Sequence, residues 1–542
     1  MMRGFFSIFS WRYPTTIVGL LQKHNYRVRP YLQTYWQTNN FAELGETVSF
    51  GTAGLGNPLR IFMYLGSLAQ IALGVLLIIQ WDRLQRDGWW AFGLALIISY
   101  PVVWAHMIVF GVWLNYVVHP KKMGRAIICT MLEGQAIRLR RKHDFKVVAV
   151  VGSVGKTSTK AAIAKTLEAS KRVIWQEGNY NDRVTVPLVL FNQPLPGLLN
   201  VPAWLQIWRN NERVIRSDYP YDIAVVEFGV DGPGQMEDFA YLKPDVTIVT
   251  AITPEHMEYF GTLDAVAQEE LTALSFSKKT LINTDDTPEQ YLKKRTYTSY
   301  GLQASATYNV AKRTSKGLDG QKVTFKLGKS HTFTSTIPML GAQGAKIATA
   351  AAATAHLLGE THDDIEKGLK NVEAFAGRMR LFKGIKESVL IDDTYNSSPI
   401  ATNAALDVLY ETKAKQRIAV LGSMNELGDY SPEAHHEVGV HCDPKKVDLV
   451  VTIGHDAEVF LALVAREQGC EVHSFKSPYK AGTFIKKQLK EGAVVLGKGS
   501  QNGVFAEETL KMLLADKKDI ERMVRQSPYW LAAKRKQFPD AR

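Results

Sequence analysis

The residues best suited to chemistry lie in GSVGKTSTK, Gly152–Lys160, directly after the apolar run KVVAVV. Gly152 and Gly155 let backbone amides approach phosphate oxygens, and the helix beginning near Thr157 points its positive end at the same place. Lys156 is placed to neutralise β- and γ-phosphate charge, and Thr157 or Ser158 to bind Mg²⁺. Gly-Lys-Thr between a buried strand and a helix is far more specific for phosphate than a lysine at an ordinary turn. The loop is nevertheless short: two residues, not four, separate its first glycine from the Gly-Lys pair.

Glu227 is a second candidate, because it falls at the end of the apolar run IAVVEF, 223–228. The carboxyl end of a strand is where an α/β site places a metal carboxylate. Taken singly, Glu227 reads equally well as a cap or surface ion pair, and His256 reads better as a structural histidine than as a ligand.

These residues need a frame. KVVAVV, IAVVEF, VTIVT (246–250) and TLIN (280–283) are short apolar runs with helical stretches between several of them, the signature of a parallel sheet covered by helices. An Ala-rich helix is predicted over 341–358. A second alternating set starts near Gly377, with strands VLIDD (389–393), RIAVLG (417–422), DLVVTIG (448–454) and AVVLGKG (493–499). The predicted class is α/β: a central P-loop parallel-sheet ATPase domain, then a C-terminal Rossmann-like α/β domain, preceded by a transmembrane helical region. The expected divisions are a basic and aromatic arm (1–58), a transmembrane hairpin (59–119), a basic linker (120–145), the central ATP-binding domain (146–376), the C-terminal domain (377–515) and a basic tail (516–542).

The hairpin rests on two runs. Ile61–Ile79 has no charge over nineteen residues, and as a helix it spans about 28 Å, close to the hydrocarbon thickness. Trp89–Val118 is also uncharged and long enough to need a kink, which Pro101 supplies. The short link WDRLQRDG makes the pair a hairpin. Residues 1–58 are expected either on the membrane surface or as a poorly ordered arm. The net charge of +12 is concentrated beside the apolar region (Lys121, Lys122, Arg125) and in the tail (Lys534, Arg535, Lys536). No aromatic-basic stripe accompanies it, so membrane lipids rather than nucleic acid are the expected partner. The tail itself reads as a basic helix, touching the membrane or simply solvated. Three distant cysteines argue against a disulfide framework or zinc site and fit a reducing compartment. The expected location is the inner (cytoplasmic) membrane, with the catalytic domains in the cytoplasm, where ATP is.

The shortened GxxGK[ST] spacing resembles that of the Mur ligases. Other stretches carry the same resemblance: EGNYNDRVTVPLVL (177–190), AVVEFG (224–229), TAITPEHMEYFGTLDAVAQEE (250–270), GRM (377–379), IDDTYNSSPIATNAAL (391–406), RIAVLGSMNELGDYSPEAHHEVG (417–439) and LGKGSQ (496–501). They are most similar to the D-alanyl-D-alanine-adding type and span about residues 146 to 515. The resemblance implies an ATP-dependent amide ligase of peptidoglycan precursor synthesis. A substrate carboxylate attacks ATP to give an acyl phosphate, which an amine then attacks. So much negative charge requires cations placed in advance.

By resemblance, Gly152, Gly155, Lys156, Thr157 and Ser158 hold the phosphates. Thr157 and Glu227 help bind a first Mg²⁺, and His256 a second. Asn179 and Asn181 line the same site, and Arg378 and Asp393 reach ATP from the C-terminal domain. Most of the family has a carbamylated lysine where this chain has Glu270, with Glu269 beside it, so Glu270 is expected to supply directly the metal-binding oxygens. Lys156, His256 and Glu270 are the expected catalytic residues.

Gln343-Gly344 replaces the frequent His-Asn near the nucleotide, and Thr185 stands where the family usually has glycine. No family-type N-terminal substrate domain is visible in residues 1–145. The acceptor is therefore expected to be a UDP-linked or a lipid-linked muramoyl peptide, with D-Ala-D-Ala or a similar amine as nucleophile. The competing reading is a membrane-anchored, catalytically weakened ATP-binding scaffold for wall synthesis.

Overall fold

Val147 to Val151 are all fully buried, and their side chains alternate between two hydrophobic cores, one on each face of the sheet they form. That two-sided burial is why the strand reads as a continuous apolar run rather than an alternating one. The structure, a computed structural model, describes residues 7, 13–24, 28–47, 75–76, 79–86, 88–89, 102–103, 105–114, 120–293, 295–328 and 331–539. They fall into two compact units. One lies within Met1–Thr130 with Gly197–Val201, the other within Met131–Pro196 and Pro202–Arg542.

In the second unit, nine strands make the central sheet: β1 (Lys146–Val151), β2 (Val173–Ile174), β3 (Ile223–Glu227), β4 (Val246–Val249), β5 (Lys279–Asn283), β6 (Thr298–Tyr300), β7 (Tyr308–Ser315), β8 (Gln321–Leu327) and β9 (His331–Ile337). Their order is β2-β3-β1-β4-β5-β6-β7-β8-β9. Pairings are parallel from β2 to β7 and antiparallel from β7 to β9. Helices Lys156–Leu167 and Gly341–Leu357 pack on one face.

The second sheet contains β10 (Arg380–Lys383), β11 (Val389–Asp393), β12 (Arg417–Gly422), β13 (Leu449–Ile453), β14 (Val472–Phe475) and β15 (Val494–Lys498). Its order is β10-β11-β15-β12-β13-β14, with only β10 antiparallel. The α/β prediction with two sheets holds. The sequence reading omitted the antiparallel extension β7–β9.

Three expectations are corrected. First, no helix among the described residues is long and apolar enough to cross a membrane. Most of the runs 61–79 and 89–104 lies outside the described residues. Of the second run, Ala105, Ile108, Val109 and Val112 are buried in a helical core with Tyr13, Ile17, Leu20, Leu21, Tyr31 and Tyr35. A membrane location and lipid partners are therefore not carried forward, nor is the lipid-linked acceptor that rested on them. Second, the described residues of 13–47 are not a poorly ordered arm: helices Tyr13–Lys23, Val28–Gln37 and Phe41–Thr47 build that core, which a Tyr13–Tyr35 hydroxyl contact of 2.9 Å crosses. Third, the basic tail is docked rather than solvated: Lys534 is 1% exposed and pairs with Glu507 and Glu508.

Candidate functional site

The carboxyl ends of β1, β3 and β4 lie side by side, with Val150 opposite Glu227 and Val151 opposite Val249. The chain segments that leave them form one end of a cleft, as expected for a parallel α/β sheet. After β1, Gly152 turns at φ +119°, and a Cβ there would stand 2.6 Å from Thr250 Oγ1 and 2.8 Å from the Ala251 carbonyl. No other residue fits that approach. Gly155, at φ +85°, starts the helix Lys156–Leu167, which leaves the helix N-terminus free to face an anion.

Lys156 is nearly buried and surrounded by carboxylates. Its Nζ lies 3.2 Å from Glu255 and 4.0 Å from Glu270, and it donates to the Gly152 and Ser153 carbonyls. Burial disfavours its charge, but Glu255, Glu270 and Glu227 outweigh that and raise its pKa. Burial pushes the Glu255 carboxyl up. Burial also pushes Glu270 up to about 7, although Lys156 and the Gly152 N–H favour its anion.

Thr157 Oγ1 donates to Glu227 at 3.2 Å, and Asn181 Nδ2 reaches the same oxygen at 3.4 Å. Asn181 in turn packs on Gly229, where any Cβ would fall 2.6 Å from its amide nitrogen. The other Glu227 oxygen is 3.2 Å from Lys160 Nζ, with both side chains 2% exposed. His256 sits at φ +50°. Its Nδ1 is 2.9 Å from Glu426, and its Nε2 is 3.6 Å from Asp231 and 3.7 Å from Glu255. Burial opposes a charge on this imidazole, but Glu426, Glu255 and Asp231 together raise its pKa.

The C-terminal domain supplies the facing wall. Arg378 lies over the Tyr395 ring at 4.3 Å, and its buried Nε has no hydrogen-bond partner among the described residues. Asp393 pairs with the buried Lys498 at 2.7 Å. Burial lowers the Lys498 pKa and Asp393 partly restores it. Two adjoining cavities result. The apolar one is lined by Val154, Gly155, Met339, Gln343, Ile347 and Phe375, among others. The polar one includes Lys156, Thr157, Asn179, Glu227, Glu255 and His256. Arg378 borders both.

The structure therefore brings together Lys156, Thr157, Asn179, Asn181, Glu227, His256 and Arg378, with Ser158 and Asp393 on the apolar cavity. Glu270 is placed differently. It accepts from the Gly152 N–H at 2.7 Å and supports the loop from behind, and it is not among the residues lining either cavity. Its neighbour Glu269 accepts from the Gly234 and Met236 N–H groups, each at 2.6 Å. Thr185 locks the turn at Asp182 by donating Oγ1–H to the Asp182 carboxylate at 2.7 Å. Glu255, Lys160 and Lys498 were missed. Lys160 had a signal, since it lies three residues after Thr157 on the same helix face.

Among the described residues, no three His, Cys, Asp or Glu side chains stand together as a metal cage. The donor set still fits Mg²⁺, which is held by one or two carboxylates together with substrate phosphates and water. Thr157 and Glu227, in contact beside the phosphate loop, provide such a half-site.

Comparison with known proteins identifies two family domains in the chain. The Mur ligase middle domain matches residues 150–355, and the Mur ligase, glutamate ligase domain matches residues 377–501. The chain is 28% identical over 386 residues to the UDP-N-acetylmuramoyl-tripeptide–D-alanyl-D-alanine ligase of Synechocystis sp., covering 70% of this chain and 76% of that protein. It is 29% identical over 394 residues to the Bacillus subtilis protein of the same name, covering 71% and 79%. The MurF ligase of Thermotoga maritima, solved in complex with ADP, has the same fold over 73% of this chain and 84% of its own, with a TM-score of 0.57 and 24% identity.

Proposed function

We propose that this chain, which belongs to the Mur ligase family of ATP-dependent ligases, joins D-Ala-D-Ala or a similar amine to the terminal carboxylate of a UDP-linked muramoyl tripeptide. The observation that carries the reading is the cleft in which the Lys156 loop and the Thr157–Glu227 pair face Arg378. The apolar cavity suits an adenine base, with Gln343 near Gly155 at its edge, and the polar cavity suits phosphates and a carboxylate.

Lys156 and the loop at Val154–Gly155 hold the terminal phosphates, while the Gly152 and Ser153 N–H groups brace the loop on Glu270 and the Ala251 carbonyl. Thr157 and Glu227 hold Mg²⁺, which supplies charge neutralisation when bound. The acceptor carboxylate attacks the γ-phosphorus and releases ADP, and the amine displaces phosphate from the acyl phosphate. Arg378, bordering both cavities, reaches the nucleotide phosphates from the opposite wall. His256, oriented by Glu426, faces the same space with Glu255 beside it and contributes to a second cation site. Asn179 and Asn181 line the cleft, and Asn181 orients Glu227. Glu270 acts on the loop, fixing the Gly152 N–H from behind.

The test is incubation of the full chain with ATP, Mg²⁺, UDP-MurNAc-tripeptide and D-Ala-D-Ala. Phosphate release that requires both substrates, with a product heavier by one dipeptide less water, is expected. Phosphate release that ignores the amine would refute the assignment. Repeating the assay without bicarbonate is expected to leave the rate unchanged, since Glu270 needs no carbamylation.

A further inference from the structure

The matched family domain ends at residue 501, yet the chain continues and folds back onto the site. The segment Lys517–Arg522 is a short 3₁₀ turn, and Pro528–Gln537 is a helix. Between them, Arg525 takes φ +55° and turns its side chain inward until only 6% of it is exposed. The guanidinium makes four contacts. Its Nε donates to Glu507 Oε1 at 2.8 Å and Nη2 to Glu507 Oε2 at 2.7 Å. Its Nη1 donates to the Tyr395 carbonyl at 2.9 Å, and Nη2 also to the Thr394 carbonyl. Glu507 is fully buried, so this is a planar fork held rigidly on one side and gripping two backbone carbonyls on the other. Lys534, in the final helix, closes the arrangement by donating to Glu508 and to the Arg525 carbonyl.

The two gripped carbonyls belong to the segment that follows β11, directly after Asp393. Tyr395 is the ring beneath Arg378. The Tyr395 N–H donates to the Gly377 carbonyl at 3.1 Å, and the neighbouring Val524 covers Gly377 so closely that a Cβ there would meet it at 2.8 Å. The tail thus touches both stretches that present Arg378 to the cleft: the one containing Gly377 and the one containing Tyr395.

We infer that Arg525 is a positioning residue for nucleotide binding: it fixes the Thr394–Tyr395 backbone, and through the Tyr395 ring it sets the place of the Arg378 guanidinium. This rests on the reading of the Arg378 wall as part of the nucleotide site. Arg525 itself touches no ligand. It is hidden behind the wall, and its fork cannot be replaced by a lysine, whose single ammonium cannot span two carbonyls and a carboxylate together.

The experiment measures Mg²⁺-ADP binding by calorimetry to the full chain and to Arg525→Lys, Arg378→Ala and the double variant, with thermal midpoints recorded for each. Arg525→Lys keeps the charge beside Glu507 and is the variant designed to fold; Arg525→Met serves as the harsher companion. Arg525→Lys is expected to weaken ADP binding about tenfold, and to change it by less than about twofold when Arg378 is already alanine, as for residues acting through one network. General loosening of the fold would instead weaken both backgrounds equally. An Arg525→Lys protein that binds ADP like the parent, or an equal loss in both backgrounds, overturns the inference while leaving the ligase reading intact. Failure of the parent chain to bind ADP overturns the nucleotide reading, and this inference with it.

Discussion

Replacing Lys160 by methionine removes one member of an ion pair in which both side chains are 2% exposed and 3.2 Å apart. Glu227 would keep only the hydrogen bonds from Thr157 and Asn181 to its other oxygen. Its second oxygen is buried and, among the described residues, has no hydrogen-bond partner besides that ion-pair contact. Breaking a buried pair from one side costs about 3–5 kcal/mol, because a charge remains unpaired in a low-dielectric setting. Lys160→Met should therefore lower stability by about that amount, read as a shift in the urea midpoint at constant slope. The substitution also frees the Glu227 carboxylate to turn, and Lys160 no longer holds the Gly178 carbonyl at 3.1 Å. Phosphate release should fall by about 100-fold, the scale of a misplaced catalytic geometry. The double variant Lys160→Met/Glu227→Gln removes the charge from both sides. It should recover most of the lost stability, since a neutral pair leaves no buried charge, while remaining inactive. A single variant within about 1 kcal/mol of the parent, or a double variant that regains activity, would refute the reasoning.

Three further outcomes are expected. Burial raises the folded Glu270 pKa from 4.5 to about 7, so the stability it contributes is complete below pH 4.5 and is lost as pH rises through 7. Glu270→Gln, which resembles the protonated form, should gain about 1–3 kcal/mol over the parent at pH 8 and nothing at pH 4. Thermal melts at the two pH values check this, and an equal difference at both would refute it. Glu269→Ala leaves the Gly234 and Met236 N–H groups without an acceptor and should cost about 2–4 kcal/mol by urea unfolding. Arg378→Ala should raise the KM for ATP about tenfold through loss of one charge-assisted contact, measured by phosphate release.

The phosphate loop and the strands around it were legible because each rests on local rules. Glycines at strained turns and strands buried on both faces leave marks that need no neighbour to interpret. β8 left a mark too: QKVTFKL alternates buried and exposed positions, but its polar residues concealed it among loops. The charged residues Lys160, Lys498 and Glu255 left none, because a buried lysine and a solvated one have the same letter. Only the folded chain puts Lys160 opposite Glu227 and Lys498 opposite Asp393. The N-terminal error has a related cause. Apolar length alone suggests lipid, yet Ala105, Ile108, Val109 and Val112 spend their hydrophobicity on Tyr13, Ile17 and Leu21, an alternative that hydropathy does not separate from the first.

The contact between His256 and Glu426 is reinforced by the Met257 N–H, which donates to the Glu426 carbonyl at 3.1 Å. One residue of the C-terminal domain is therefore gripped twice by the loop after β4, while Arg378 faces the loop after β1. The cleft exists only as long as the two sheets keep this spacing. A nucleotide that touches both walls acts as a tie between them, adding its binding free energy to whatever resists their separation. Bound nucleotide is thus expected to raise the unfolding midpoints of both sheets together, so the protein is most stable while the cleft is occupied.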